Sequence, residues 1–261
     1  MTPAAGSSPS PRKLEAIAVQ AASAGASFIR SAAGDLGTVG TKSTPTDPVT
    51  SLDIGTEEVI RKVLAERTPG ASVIGEEAEA IEGTSGIGWV IDPVDGTVNL
   101  TYDLPVMSVS IAATIDGKIA AGAVVDVLRG DVFSAAHGEG ARLSGVPISP
   151  TGASELSASL IGTGFMYTPE GRAMEAEYVA RVLPAARDIR CMGSAALNVC
   201  WVGCGRLDGF YQRNMQYWDF AAGEIVACEA GATISGPEQQ NDRLMVVAAP
   251  GIHAELRSLV S

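Results

Sequence analysis

Carboxylates crowd three short motifs of this sequence. They are Val73-Ile74-Gly75-Glu76-Glu77, then Trp89-Val90-Ile91-Asp92-Pro93-Val94-Asp95-Gly96-Thr97, then Tyr217-Trp218-Asp219-Phe220. A carboxylate placed right after an apolar strand, backed by Gly or Pro, sits on a rigid element at the rim of a sheet. Two such rims side by side bring several oxygens together, and their repulsion and desolvation are costly unless neutralised. Hard divalent cations relieve that cost, and Mg²⁺ prefers oxygen ligands plus water. Pro93 stiffens the backbone and can turn the Val94 carbonyl outward as a further ligand. If Asp95-Gly96-Thr97 opens a helix, its N–H groups form an anion site suited to phosphate. Cation ligands and phosphate donors then lie within one short segment, where two cations can bridge a phosphate, polarise it and activate a water.

Each motif alone has a plainer reading. Asp92–Thr97 is a turn between strand and helix, Glu76-Glu77 a solvated acidic loop, and Asp219 a helix N-cap. These readings leave unexplained why all three motifs occur in one chain.

The elements that must position these groups follow from the pattern. Leu14, Ile17, Ala18, Ala21, Phe28 and Ile29 recur at helical spacing, so residues 12–33 read as an amphipathic helix. A Gly/Thr/Pro-rich segment, 34–48, leads to a second helix that starts near Ser51 or Asp53 and ends at Arg67, before Pro69-Gly70. Strands are expected at 71–75, 88–91, 106–115, 118–127 and 131–136, with Asp116-Gly117 as a hairpin turn. Residues 137–152 are loop-rich with one short strand. Beyond them, strands at 160–164, 189–192, 207–211, 232–234 and 245–248 alternate with helices at 171–183, 195–203, 218–230 and 252–260. That alternation points to a layered α/β architecture. The domain reading is a disordered tail over 1–11, an N-terminal α+β lobe over 12–150 that carries the metal motifs, and a C-terminal α/β lobe over 151–261 that completes the site.

Composition narrows the function classes. The 261 residues are 46% hydrophobic and 18% charged, enough to build a core. The net charge of −12 repels nucleic-acid and anionic membrane surfaces, so neither is an expected partner. Cys191, Cys200, Cys204 and Cys228 have no metal-site spacing, and the two histidines, His137 and His253, stand far away. Four reduced, mostly buried thiols in a cytoplasmic protein are expected. No signal segment or membrane span is read. Trp89, Trp201 and Trp218 are assigned to core packing.

Together the motifs resemble the inositol monophosphatase family of Mg²⁺-dependent, lithium-sensitive phosphatases. Besides the three acidic motifs, the match includes Thr97-Val98-Asn99, Lys42-Ser43-x-Pro45-x-Asp47-x-Val49-Thr50-x-x-Asp53, Gly193-Ser194-Ala195-Ala196-Leu197-Asn198 and Glu229-Ala230-Gly231. The resemblance implies a five-layered αβαβα sandwich, a homodimer, and two to three Mg²⁺ per site, with Mn²⁺ able to substitute and Li⁺ inhibitory. It implies that Glu76, Asp92 and the Val94 carbonyl hold the first Mg²⁺, and that Asp92, Asp95 and Asp219 hold the second. A third, weaker ion lies near Glu76. Glu76 and Thr97, the latter paired to Asp53, orient and deprotonate the water. Gly96 and Thr97 bind phosphate through the backbone. Asp95, Gly193, Ser194, Ala195 and Asp219 face substrate. The implied reaction is hydrolysis of inositol 1-phosphate, a small phosphorylated polyol. Fructose 1,6-bisphosphate, histidinol phosphate and a 3′-phosphonucleotide are alternative substrates for the same chemistry. A non-catalytic metal- or phosphate-binding interaction module is a third reading.

One segment departs from the family pattern. Where many members carry a Glu that contacts inositol hydroxyls, this chain has Phe210-Tyr211-Gln212-Arg213-Asn214. Gln212 keeps an acceptor, loses a charge and gains donors, while Arg213 is expected to add a nearby cation. Lys42 reads equally as a counter-charge to the site or as an ordinary loop lysine. Glu77 is placed behind the ligands. Met166-Tyr167, beside Gly162-Thr163-Gly164-Phe165, is assigned to packing.

Overall fold

Pro11 opens the first helix, where its missing N–H costs nothing, and the Ser10 side chain accepts the Lys13 N–H at 3.4 Å. The computed structural model describes residues 9–32, 37–42, 48–236 and 244–261. Residues 1–8 of the expected tail lie outside them, as do parts of the 34–48 segment, including Ser43, Pro45 and Asp47. Helix α1 (Pro11–Ser31) begins inside the stretch read as tail. A small antiparallel pair, β1 (Val39–Thr41) and β2 (Pro48–Thr50), leads into α2 (Ser51–Arg67). The first large sheet contains β3 (Ser72–Gly75), β4 (Ile87–Asp95), β5 (Ser108–Ile115), β6 (Lys118–Asp126), β7 (Val132–Ala136), β8 (Ala141–Leu143) and β9 (Val146–Pro147), in that spatial order. Helix α3 (Thr97–Thr101) interrupts it after β4. Asp116 and Gly117, at φ 49° and 78°, make the β5–β6 hairpin turn that the Asp-Gly pair announces.

The second half adds β10 (Leu160–Thr163), α4 (Pro169–Val182), β11 (Asp188–Cys191), α5 (Ala195–Gly203), β12 (Gly209–Arg213), α6 (Tyr217–Ala230), β13 (Thr233–Ser235), β14 (Leu244–Ala248) and α7 (His253–Val260). Its five strands order as β11-β10-β12-β14-β13.

Three cores stack these elements into five layers. Alternation along the strands divides the residues between the two faces of each sheet. Ile87, Trp89 and Ile91 of β4 join α1 and α2 in the first core, whereas Val90 joins α5 and α6 in the second. Phe210 and Val247 close the second core from the other sheet, while Tyr211 and Val246 turn to α4 and α7 in the third. The order is therefore α1/α2, sheet, α5/α6, sheet, α4/α7, the expected αβαβα sandwich.

Trp89 is fully buried and donates its indole N–H to Thr68 at 2.8 Å; Trp201 is buried and Trp218 half-buried against the second core. The thiols differ from expectation. Cys200 alone is buried, Cys204 is half-buried, and Cys191 and Cys228 are exposed, all four free. Cys191 ends an edge strand, and Cys228 lies on the side of α6 turned away from both cores. Among the described residues, no helix is long and apolar enough to cross a membrane.

Candidate active site

Strand β4 does not stop at Ile91. Asp92 pairs with Ser110 and Asp95 with Ser108, so three steps along β4 match two along β5. One residue is extra, which is a β-bulge. Pro93, with no N–H to offer a ladder, lies within it. In a regular strand, residues 92 and 95 face opposite sides. The bulge returns both aspartates to the face that carries Ser108 and Ser110, while Val94 joins the first core. Asp92 accepts the Val94 N–H at 3.1 Å. Gly96 follows at φ 109°, and a Cβ there would stand 3.0 Å from the Val106 carbonyl and 3.2 Å from that of Gly193. The helix opens at Thr97 with Gly96 as its N-cap. Among the described residues, no protein group accepts the N–H of Gly96 or Thr97.

Asp95 ties the two halves of the chain together. Its carboxylate accepts the Ser108 hydroxyl at 3.0 Å, the Ala195 N–H at 2.9 Å, the Ala196 N–H at 2.9 Å, and the Ser194 hydroxyl. It thus sits on the N-terminus of α5, where backbone N–H groups and the helix dipole favour a negative charge. Asn99 holds the approach to that helix, donating to the carbonyls of Val106 at 2.7 Å and Met192 at 2.8 Å. Ser194 is buried, and its hydroxyl and the Ala195 N–H point at Asp95; the resemblance had them facing substrate. Asp219 is the third residue of α6 rather than its N-cap. Gln216 caps the helix, and the Asp219 carboxylate reaches back to the Gln216 N–H at 2.6 Å.

Helix α2 supplies the next layer. Asp53, fully buried, accepts the Thr50 N–H at 2.9 Å in a capping box and the Thr97 hydroxyl at 2.9 Å. The Thr97 hydroxyl also lies 3.0 Å from the Val94 carbonyl.

The field at the site is strongly anionic. Burial, then the charges of Glu76, Asp95 and Asp219, hold the Asp92 carboxyl well above the ordinary range. Burial first, then Glu76 and Asp95, push Asp219 up to about 8 against the Gln216 amide and Lys42. Four carboxylates from three separate motifs therefore feel one another's charge. Lys42 answers them, with its ammonium 2.7 Å from Glu76 and 2.5 Å from Glu77. Burial lowers its pKa, but the two glutamates outweigh that and the net shift is upward. The counter-charge reading of Lys42 is the one the structure supports. Glu77, raised to about 7 by burial, belongs to that pair. Among the described residues, no three acidic, His or Cys side chains are already closed into a cage. The donors are nonetheless all hard oxygens, mutually repelling, with Asp92 and Asp95 buried and Glu76 and Asp219 half-buried, and they fit a divalent cation such as Mg²⁺.

The family model of the inositol monophosphatase family matches residues 10–260. The chain belongs to the inositol monophosphatase family. It is 44% identical over 268 residues to inositol-1-monophosphatase SuhB of Mycobacterium tuberculosis, across 94% of this chain and 92% of the relative. It is 36% identical over 191 residues to Nus factor SuhB of Escherichia coli, across 72% of each. The crystal structure of extragenic suppressor protein suhB from Bartonella henselae superposes with a TM-score of 0.88 at 31% identity, covering 94% of this chain and 97% of that one.

Within the inositol monophosphatase family, the departure at Gln212 now has a place. Strand β12 runs two residues further than expected because β14 pairs with it as far as Arg213↔Leu244. By alternation Gln212 shares the face of Phe210, toward α5 and α6, and Gly164 leaves it room: a Cβ there would overlap the Gln212 amide. Arg213 does not add a cation beside it. That side chain takes the opposite face, stacks on Tyr178 at 4.7 Å and donates to the Val260 carbonyl at 3.1 Å. Met166 packs on Gly171 as expected, but Tyr167 is exposed.

Sequence reading missed Glu57 and gave Asn99 no role. Asp53, Glu57 and Arg61 recur every four residues, a polar stripe on one face of α2 that was the available signal.

Proposed function

We propose that this protein hydrolyses inositol 1-phosphate to inositol and inorganic phosphate with Mg²⁺ as cofactor. The observation that carries the reading is the convergence of Glu76, Asp92, Asp95 and Asp219 beside the Thr97–Asp53 hydrogen bond. Glu76, Asp92 and the Val94 carbonyl would hold one ion, Asp92, Asp95 and Asp219 a second, and Glu76 would lie near a weaker third. Bound there, Mg²⁺ supplies charge neutralisation on the phosphoryl oxygens and lowers the pKa of water.

The chain's own residues do the rest. The N–H groups of Gly96 and Thr97 bind a phosphate oxygen and fix the ester for in-line attack. Because the Thr97 hydroxyl donates to Asp53, its lone pair receives a hydrogen bond from the attacking water, and the proton moves through it toward Asp53. Glu76 orients the same water. Gln212 offers both donors and an acceptor to polyol hydroxyls. A second copy of the chain completes the functional unit as a homodimer.

Replacing the family's Glu by Gln212 favours a second reading in which the chemistry is unchanged and the ester differs. Fructose 1,6-bisphosphate, histidinol phosphate and 3′-phosphonucleotides are the candidates. Phosphate release from a panel of these esters, with Mg²⁺ and with EDTA, is the test. The expected result is fastest turnover of inositol 1-phosphate and none in EDTA. Turnover indifferent to chelator overturns the metal reading, and a faster ester on the panel overturns the substrate. Cation binding without phosphate release from any ester points instead to an interaction module.

A further inference from the structure

Glu76 can serve a cation only if the turn after β3 is held still, and the structure shows what holds it. The Glu57 carboxylate, 1% exposed, accepts the Glu77 N–H at 2.9 Å and the Ala78 N–H at 3.3 Å. Arg61, one turn along α2, donates its Nε to the same carboxylate at 2.6 Å and a terminal nitrogen to the Ala78 carbonyl at 3.2 Å. The peptide groups on both sides of Ala78 are therefore fixed by one ion pair. Gly75 completes the fit: a Cβ there would stand 2.5 Å from the Glu57 carboxyl carbon, so only glycine admits Glu57 so close to the end of β3. Burying a carboxylate is costly, and here charge-assisted bonds to the turn and to Arg61 offset that cost.

The same helix face carries Asp53, whose partner is Thr97. Helix α2 thus grips both acidic rims, one through Asp53 and the other through Glu57. We propose that Glu57, locked by Arg61, is a positioning residue that presents Glu76 to the cation. The inference rests on the metal reading above and extends it to residues that touch neither metal nor substrate.

The test uses the full chain and Mn²⁺ as probe, with bound ion counted by electron paramagnetic resonance. E57Q keeps the size and one acceptor but loses the charge that pairs with Arg61. R61M leaves the Glu57 acceptors and removes their lock. Both variants should bind Mn²⁺ at least about tenfold more weakly than the parent, the range expected for partners that orient a metal ligand. Their kcat should recover at raised Mg²⁺ with KM for the ester unchanged. A merely structural role lowers the melting temperature and leaves the Mn²⁺ affinity of the folded protein alone; affinities within about twofold of the parent in both variants overturn the proposal. If E57Q does not fold, R61M decides by the same criterion. A parent chain that binds no Mn²⁺ defeats the metal reading itself, which keeps the two failures distinct.

Discussion

Asp95 accepts the Ala196 N–H at 2.9 Å, joining the last residue of β4 to the N-terminus of a helix from the other half of the chain. Asp92, on the same bulge and the same face, accepts the Val94 N–H at 3.1 Å and feels the charges of Glu76, Asp95 and Asp219, opposed by Lys42. Two buried aspartates three residues apart thus differ in their donors: Asp95 accepts from two hydroxyls and two helix N–H groups.

Their asparagine variants should separate stability from turnover. D92N relieves repulsion and burial of charge, so the chain should melt at a higher temperature in EDTA while kcat falls by about two orders of magnitude or more. D95N puts an amide among donors that need acceptors and should cost about 1–3 kcal/mol of stability as well as activity. Thermal melts in EDTA with matched kcat assays check both; a D92N that melts lower than the parent contradicts the account.

Thr97 is predicted to act through its hydroxyl. T97A should lose about 10²–10⁴ in kcat, the range for a positioned proton acceptor, and T97S should recover most of it. KM should move little in either. Equal loss in both variants would mean that the methyl group, not the hydroxyl, matters.

Stability of the cation-free protein should fall as pH rises. Burial and neighbouring carboxylates raise Asp219 to about 8, and burial raises Glu77 to about 7 despite Lys42. The unfolded chain releases the same protons near pH 4 (roughly the carboxylate reference). Between there and about 8 the folded state binds more protons than the unfolded, so its stability declines with pH across that window. Melting temperatures in EDTA should drop from acid to about pH 8, and Mg²⁺ should restore more stability at the alkaline end, where it displaces fewer protons. A melting temperature in EDTA that climbs across the window is the opposing result.

Gln212 should tune the ester rather than the chemistry. If Gln212 meets polyol hydroxyls as proposed, Q212E puts a charged acceptor there, and kcat/KM for inositol 1-phosphate should rise about tenfold, as for one added hydrogen bond to a charged group. Rates on the other esters should not rise with it. A uniform change across the panel would place Gln212 outside the binding face.

Much of this molecule is legible without coordinates. The stripe Leu14–Ile29, the Asp116-Gly117 turn and the alternating second half lead to α1, the β5–β6 hairpin and the α/β layers, because periodicity and turn chemistry are local properties. The acidic motifs announce cation chemistry for the same reason: carboxylates after apolar runs are visible as residue types. Lys42 stayed ambiguous because its partners, Glu76 and Glu77, stand 34 and 35 residues away. The expected cation beside Gln212 is not supplied by Arg213, because β12 extends to Arg213 through its pairing with β14 and alternation sends the side chain to the other face.

From residue order alone came the oxygen-rich acidic motifs, the layered class and the family. The fold decided the rest: that a bulge swings Asp95 round to the side of Asp92, that Asp95 is spent largely on α5, and that α2 braces both rims. Local sequence encodes which atoms are available and how each segment prefers to bend. Which atoms face one another depends on strand register and on contacts between distant segments, and these exist only once the whole chain has packed.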